Sequence, residues 1–185
     1  EAVFTAQTSQ SASTTNSEVS ASVQTLQLTG LQTVRTNSLF AAGVGNDSIF
    51  LGDQITTFND VSVRGGKGND VLGTFNSGGA NTGILSQLSG GQIKGGNGND
   101  TVYVNLSGES GKDFRLVGNA GNDTVMFSAA SAEANSGFIG GGAGNDSVVV
   151  VAASGKVTSV KGGDGNDSID VNFSAVTNKG LIDAG

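Results

Sequence analysis

The feature that most constrains this chain of 185 residues is a Gly-Asn-Asp triplet that occurs six times. Successive aspartates of the triplet are 23, 30, 23, 23 and 21 residues apart. A repeat of roughly 20–50 residues is typical of proteins in which each unit packs only against its neighbours. The chain therefore folds as a stack of similar units. The triplet aspartates are Asp47, Asp70, Asp100, Asp123, Asp146 and Asp167.

Apolar residues flank every triplet in a fixed register. Seven positions before the aspartates lie Phe40, Val63, Ile93, Leu116, Ile139 and Val160. Two positions after them lie Ile49, Leu72, Val102, Val125, Val148 and Ile169. Four positions after them the residue is again apolar in five units and is Thr74 in the other. A spacing of two indicates a strand with one buried face. Each unit is therefore predicted to be a strand, a glycine-rich corner, a second strand and a variable return segment.

Stacked units of this kind predict an all-β fold. One short unit cannot bury its own apolar face, whereas stacked coils can bury theirs against each other. The expected fold is therefore a parallel β-solenoid of the β-roll or β-helix kind. About six to eight coils are expected. Residues 39–185 are predicted to form this solenoid, with an inserted loop at about 75–91 in the longest step. Residues 181–185 match the beginning of a seventh unit.

The first 38 residues carry no triplet. Residues 1–17 are predicted to be a polar N-terminal arm, and residues 18–38 a degenerate coil without the motif, or a donor strand. Val19 and Leu28 are nine residues apart, as Phe40 and Ile49 are, which aligns Leu28 with Ile49.

Composition excludes several classes of function. The chain has no Cys and no His, so it lacks thiolate nucleophiles, imidazole bases and the usual zinc ligands. Its net charge of −7 argues against nucleic acid and anionic membranes as partners, and no apolar run is long enough for membrane insertion. We expect no enzyme, although a hydrolase with two carboxylates remains an open alternative.

The corner chemistry predicts bound calcium. Stacked coils would place successive triplet aspartates about 4.8 Å apart. Two such charges repel by about 0.9 kcal/mol even at the dielectric constant of water. Calcium reverses this repulsion and accepts carbonyl oxygens as well as carboxylates, while glycine lets a corner aim its carbonyls inward. Six corners leave five gaps, so about five calcium sites are expected along one edge.

Four corners resemble the calcium-binding nonapeptide GGxGxDxUx of the repeats-in-toxin (RTX) family, in which U is apolar. They read GGKGNDVLG (65–73), GGNGNDTVY (95–103), GGAGNDSVV (141–149) and GGDGNDSID (162–170). Two other corners depart from the pattern, with Ala42 for the first glycine and Asn119 for the second. The family pattern usually repeats every nine residues; here one motif per coil is similar to the calcium-dependent solenoid modules of large bacterial adhesins.

The resemblance implies that each ion takes two carboxylates from neighbouring coils and backbone carbonyls from the corners. The implied carboxylates belong to the six triplet aspartates. The implied carbonyls belong to Gly65, Lys67, Gly95, Asn97, Gly118, Ala120, Gly141, Ala143, Gly162 and Asp164.

These features favour an extracellular or cell-surface structural protein: a calcium-stabilised subunit of a surface layer, of a fibre or filament, or of a long adhesin. Expected partners are other copies, through end-to-end stacking and strand donation, and cell-surface polysaccharide. One alternative is a calcium-folding accessory module, for secretion and refolding, of a secreted enzyme. Another is a glycan- or ice-binding module. Ice binding is disfavoured because the residues two before each triplet asparagine form no regular threonine column.

Three further sets of residues have open interpretations. The triplet asparagines form either a ligand-binding row or a hydrogen-bonded ladder. Arg64, Lys94 and Lys161 are interpreted as solvated charges that soften the acidic edge. Phe114, Phe138 and Phe173 are interpreted as fillers of the core or of its ends.

Overall fold

The computed structural model describes residues 2–6, 24–28, 33–34, 39–51, 57–74, 87–106, 113–129, 137–152, 159–173 and 180–185. These ranges contain eighteen β-strands and no helix. Every strand pairing between them is parallel. None of the described ranges contains a helix that could cross a membrane.

Two long sheets form the main stacks of the solenoid. Sheet A has eight strands, in the order β1 (Ala2–Ala6), β2 (Gln24–Leu28), β5 (Ser48–Leu51), β8 (Val71–Gly73), β11 (Thr101–Leu106), β13 (Thr124–Ala129), β15 (Ser147–Ala152) and β17 (Ser168–Phe173). Sheet B has seven strands, β4 (Leu39–Val44), β7 (Ser62–Lys67), β10 (Gln92–Asn97), β12 (Arg115–Ala120), β14 (Phe138–Ala143), β16 (Ser159–Asp164) and β18 (Leu181–Asp183).

A third sheet lies on the return side of the first coils and was not expected from the sequence. Sheet C consists of β3 (Thr33–Val34), β6 (Thr57–Asn59) and β9 (Gln87–Ser89). Strand β9 falls within the predicted 75–91 loop, so the end of that insert rejoins the stack, and residues 75–86 lie outside the described ranges.

The strand register confirms the predicted parallel β-solenoid. Ile93 of β10 pairs with Val63 and with Leu116, which occupy the same place in the preceding and following coils. Val102 of β11 pairs in the same way with Leu72 and Val125. The predicted six to eight coils compare with eight, seven and three strands in the three stacks.

In the described ranges the core is a thin layer of mostly branched side chains between sheets A and B, and it includes an aromatic pair. Phe114 and Phe127 stack with their ring centroids 5.2 Å apart, and both are fully buried. Gly137, in the next coil, makes room for Phe114, because a methyl group there would overlap the ring. Phe114 is thus a core residue, as expected. Phe138 instead lies half-buried under Arg115, and the side chain of Phe173 lies outside the described part.

The N-terminal segment differs from the expected register. Leu26, not Leu28, pairs with Ile49, and Leu28 pairs with Leu51. A shift of two residues keeps the same side chains on the same face, so the apolar pattern cannot distinguish the two alignments. Strand β1 lies inside the predicted polar arm, where Val, Phe and Thr favour a strand. Most of residues 1–38 lie outside the described ranges, and the proposed boundaries there stay predictions.

Candidate metal centre

Each corner links a strand of sheet B to a strand of sheet A, and we number its six residues from the first glycine to the aspartate. The glycines at positions two and four have φ between 110° and 135°. An added Cβ at Gly98, in position four, would collide with the carbonyl oxygen of Gly68 in the preceding coil. The same collision recurs at position two, between Gly96 and Gly66. Glycine therefore permits both the backbone turn and the close stacking of corners.

The corner aspartates form one buried column. The exposed fractions of Asp47, Asp70, Asp100, Asp123 and Asp146 are 1–3%. From Asp70 onward, Oδ1 of each aspartate accepts a hydrogen bond from the backbone N–H of the aspartate in the preceding coil, at 2.7–2.8 Å. The column continues through Asp167, which is half-buried. The structure thus brings all six predicted carboxylates together along one edge.

The second carboxylate oxygen is buried without a hydrogen-bond donor. In the described part of the chain, this holds for Oδ2 of Asp70, Asp100, Asp123, Asp146 and Asp167. Most buried polar atoms in proteins are hydrogen-bonded, and leaving one unsatisfied costs about 1–3 kcal/mol. A regular row of such oxygens indicates that a ligand absent from the protein itself satisfies them.

The glycine at position one makes room for this oxygen. A Cβ at Gly65, Gly95, Gly118, Gly141 or Gly162 would overlap Oδ2 of the aspartate in the same coil. A Cβ at Gly65 would also lie 2.6 Å from the carbonyl oxygen of Gly95, in the next coil. A carboxylate oxygen and a predicted carbonyl ligand therefore meet at the same small space, which suits a cation that binds only oxygen.

Burial shifts the ionisation of the column. The pKa of Asp70 and of Asp123 is raised to about 6, and that of Asp100 to about 7, mainly by loss of solvation. The backbone N–H donor opposes the rise, and the charges of neighbouring aspartates add to it. The pKa of Asp146 is raised for the same reasons. Without a cation, the ionised column therefore opposes folding.

The carbonyls of position three already take part in the stack. Each accepts the backbone N–H of the position-four glycine in the preceding coil, at 2.8 Å. A carbonyl oxygen has two lone pairs, so this hydrogen bond leaves one for a cation. The residues concerned are Lys67, Asn97, Ala120, Ala143 and Asp164.

The residues present therefore fit calcium. Across the described ranges, no three or more acidic, His or Cys side chains converge on one point, so carbonyl oxygens and water would supply the remaining ligands. Calcium takes six to eight oxygen ligands at about 2.3–2.6 Å and accepts carbonyls readily. When bound, it would supply the positive charge that the buried column lacks.

The triplet asparagines form a second ladder that runs in the opposite direction. From Asn46 to Asn145, Oδ1 of each asparagine accepts a hydrogen bond from the backbone N–H of the asparagine in the following coil, at 2.7–2.9 Å. These side chains are exposed, so their amide groups line the surface beside the acidic column. This geometry supports the interpretation of these residues as a hydrogen-bonded ladder.

Comparison with protein families agrees with this geometry. The sequence model of a family described as RTX calcium-binding nonapeptide repeat (4 copies) matches residues 92–114, 107–126 and 159–173. The chain carries RTX-type calcium-binding repeats. The RTX description counts four copies, a slightly smaller number than the six to eight coils predicted here. Searches of the curated proteins and of the solved structures found no match.

The two RTX departures have different structural consequences. Ala42 places a methyl group at position one, where the other five corners have glycine beside Oδ2, so the first corner has the least space for an ion. Asn119, at position two, has φ of 89°, a positive value that asparagine tolerates better than most residues. Sequence comparison locates both departures, but only the structure shows that the first one borders the ion space.

Proposed function

We propose that this calcium-binding repeat module is an extracellular structural element: part of a surface layer, a fibre or a long adhesin. The observation that carries the proposal is the row of buried Oδ2 atoms, because a fold that depends on so many cations needs a calcium-rich medium. Extracellular calcium modules bind with Kd of about 10⁻⁴–10⁻³ M. The proposed role is mechanical and assigns no catalytic residue.

Dependence on calcium gives the module a switch between compartments. The ligands of each ion come from different coils, so binding energy becomes folding energy. In the proposed role, the chain stays unfolded where calcium is scarce and becomes a rigid rod outside the cell. A calcium-folding accessory module of a secreted enzyme would share this switch. A catalytic domain encoded in the same reading frame would identify that alternative.

The proposal includes self-association along the stack. Strands β17 and β18 have an outer edge that no described strand covers, and Leu181 and Ile182 are 54% and 51% exposed. An open parallel edge accepts a further strand readily. A further coil from the same polypeptide or from a second copy would cover these side chains.

Circular dichroism during calcium titration tests the calcium-dependent fold. We expect a disordered spectrum in chelator and a β-rich spectrum at millimolar calcium. Magnesium at the same concentration serves as the control, because it is smaller, prefers octahedral geometry and releases water reluctantly. A β-rich spectrum that is already complete in chelator would contradict the proposal.

Analytical ultracentrifugation tests the assembly role. Polymers that form with calcium and disperse with chelator are expected if copies stack. A matched sample with Leu181→Ser and Ile182→Ser should assemble less, because both substitutions lie at the open edge. A protein that folds with calcium but stays monomeric at every calcium concentration would disprove self-association while leaving the calcium-dependent fold intact.

A further inference from the structure

Three cations lie together on the outer face of sheet B, which we call the basic face: Arg64, Lys94 and Arg115. Arg64 and Lys94 pair directly in the β7–β10 register. Arg115 lies on the next strand, opposite Gln92. Their neighbours Val63, Ile93 and Leu116 are fully buried, so by strand alternation these three side chains point outward.

The basic face has no internal counter-charge in the described ranges. None of its three side chains makes an ion pair there, whereas Lys161, in the column of Arg64 and Lys94, pairs with Asp183 at 3.4 Å. Like charges directly opposite each other on a sheet are destabilising. The same column holds Ala41, Val117 and Gly140 in other coils, so the fold does not require a cation there.

One of the three cations is held in place by an aromatic ring. The guanidinium carbon of Arg115 lies 4.1 Å from the centroid of the Phe138 ring, within the range of a cation–π contact. A guanidinium fixed in this way loses less entropy when it binds an anion, and its planar N–H groups suit carboxylate, sulfate or phosphate oxygens.

We propose that the basic face binds an anionic polysaccharide laid along the stack. Three cations on three consecutive strands span about 10 Å along the stack, which fits an extended chain of charged groups. This inference rests on the proposed surface role, because it names the chemistry of the surface partner.

Other occupants fit less well. Duplex DNA carries about one charge per 1.7 Å, so it would present about six phosphates along the roughly 10 Å of the basic face and leave several of them facing no cation. A second copy would need a matching acidic face, but the exposed aspartates of the described ranges are scattered. Asp60 and Asp113 lie at the entry to sheet B, Asp164 at a corner, Asp170 on sheet A, and Asp183 beside Lys161.

The test measures the binding of dextran sulfate by calorimetry in saturating calcium. Neutral dextran and duplex DNA of matched charge are the comparison polymers. The Arg64→Gln, Lys94→Gln and Arg115→Gln triple variant should bind dextran sulfate about tenfold more weakly, because charge-assisted hydrogen bonds are lost. Lys161→Gln is the matched control and should bind as the unmodified protein does. Lys94→Gln alone should weaken binding without lowering Tm.

Several results would overturn the inference. These are equal weakening by Lys161→Gln and Lys94→Gln, equal or tighter binding of DNA, and no binding of dextran sulfate by protein that has folded in calcium. A dimer in polymer-free solution that the triple variant abolishes would identify a second copy as the occupant instead. Circular dichroism of the same samples separates these results from failure of the calcium-dependent fold.

Discussion

At the scale of single residues, each corner combines one carboxylate with glycines that serve different purposes. Glycines at positions two and four permit positive φ and leave space for the carbonyl of the preceding coil. The glycine at position one leaves space beside Oδ2. The aspartate has one oxygen in a protein hydrogen bond, and its other oxygen is buried without a donor.

Asp100→Asn should have opposite effects with and without calcium. The amide oxygen can replace Oδ1 as acceptor, but the charge is lost. In chelator the free energy of unfolding should rise, because one buried charge is removed from the column. In calcium it should fall, with at least one ion fewer bound per chain. The β content by circular dichroism measures the effect in chelator, and urea unfolding together with calcium stoichiometry measures the effect in calcium.

The control for this substitution is Asp170→Asn, which removes an exposed carboxylate of β17 that points away from the core. It should change neither the stoichiometry nor the unfolding free energy appreciably. A loss of stability by Asp100→Asn in both conditions would show that the carboxylate acts only through its protein hydrogen bonds.

Asn119→Gly should stabilise the protein. A side chain held at positive φ costs about 1–3 kcal/mol, whereas glycine loses about 0.5–1 kcal/mol more entropy on folding. We therefore expect a gain of about 1 kcal/mol in thermal or urea unfolding in calcium. The control Asn105→Gly, within β11, should instead destabilise the protein. If Asn119→Gly lowers the stability relative to the unmodified protein, the asparagine side chain itself supports the corner.

At the scale of the elements, two side-chain hydrogen-bond ladders run along the corner edge, with opposite donor-to-acceptor directions. The aspartate ladder accepts from the preceding coil, and the asparagine ladder accepts from the following one. Each corner is therefore tied to its neighbour in both directions, which holds the carboxylates in register. The remaining electrostatic repulsion belongs to the column as a whole.

Acid should stabilise the calcium-free fold. In the unfolded chain these carboxyls ionise near their ordinary pKa of 3.8, whereas in the fold Asp70, Asp100 and Asp123 have pKa values of about 6 to 7. The folded chain thus binds more protons between these values, and its stability falls as pH rises through them. Circular dichroism in calcium-free buffer should therefore show more β structure at pH 5 than at pH 8.

Calcium should reverse this dependence, because protons and calcium compete for the same oxygens. In limiting calcium, stability should therefore fall as pH is lowered from 8 toward 5. In calcium-free buffer, the stability of the Asp100→Asn variant should depend less on pH than that of the unmodified protein. Stability that increases with pH in the absence of calcium would contradict the assignment of raised pKa values to a buried column.

At the scale of the whole molecule, the solenoid is a one-dimensional stack. The core is a thin layer between sheets A and B, and each strand pairs only with strands of adjacent coils. Stability in such arrays is approximately a sum of unit terms and neighbour interfaces. The buried aspartate column lies along one edge, and the basic face lies on the outer side of sheet B.

Partial removal of calcium should therefore loosen the stack from its ends. Hydrogen exchange at graded calcium concentrations should show the slowest exchange in β11 and β13, which have neighbours on both sides, and faster exchange in β17 and β18. Local opening of this kind reflects unequal stability along a repeat array. Protection from exchange that is equal in all coils and disappears in a single step would instead indicate one cooperative unit.

The sequence alone determined the repeat, the inward columns and the acidic edge, because these follow from local spacing and residue chemistry. Only the tertiary structure decided what depends on neighbouring coils, since residues 21–30 positions apart meet there. Sequence could not assign the direction of the two ladders, the roles of Oδ1 and Oδ2, or the place of Arg115 over Phe138. It could not resolve the alignment of Leu26 either, because a two-residue slip preserves the buried face.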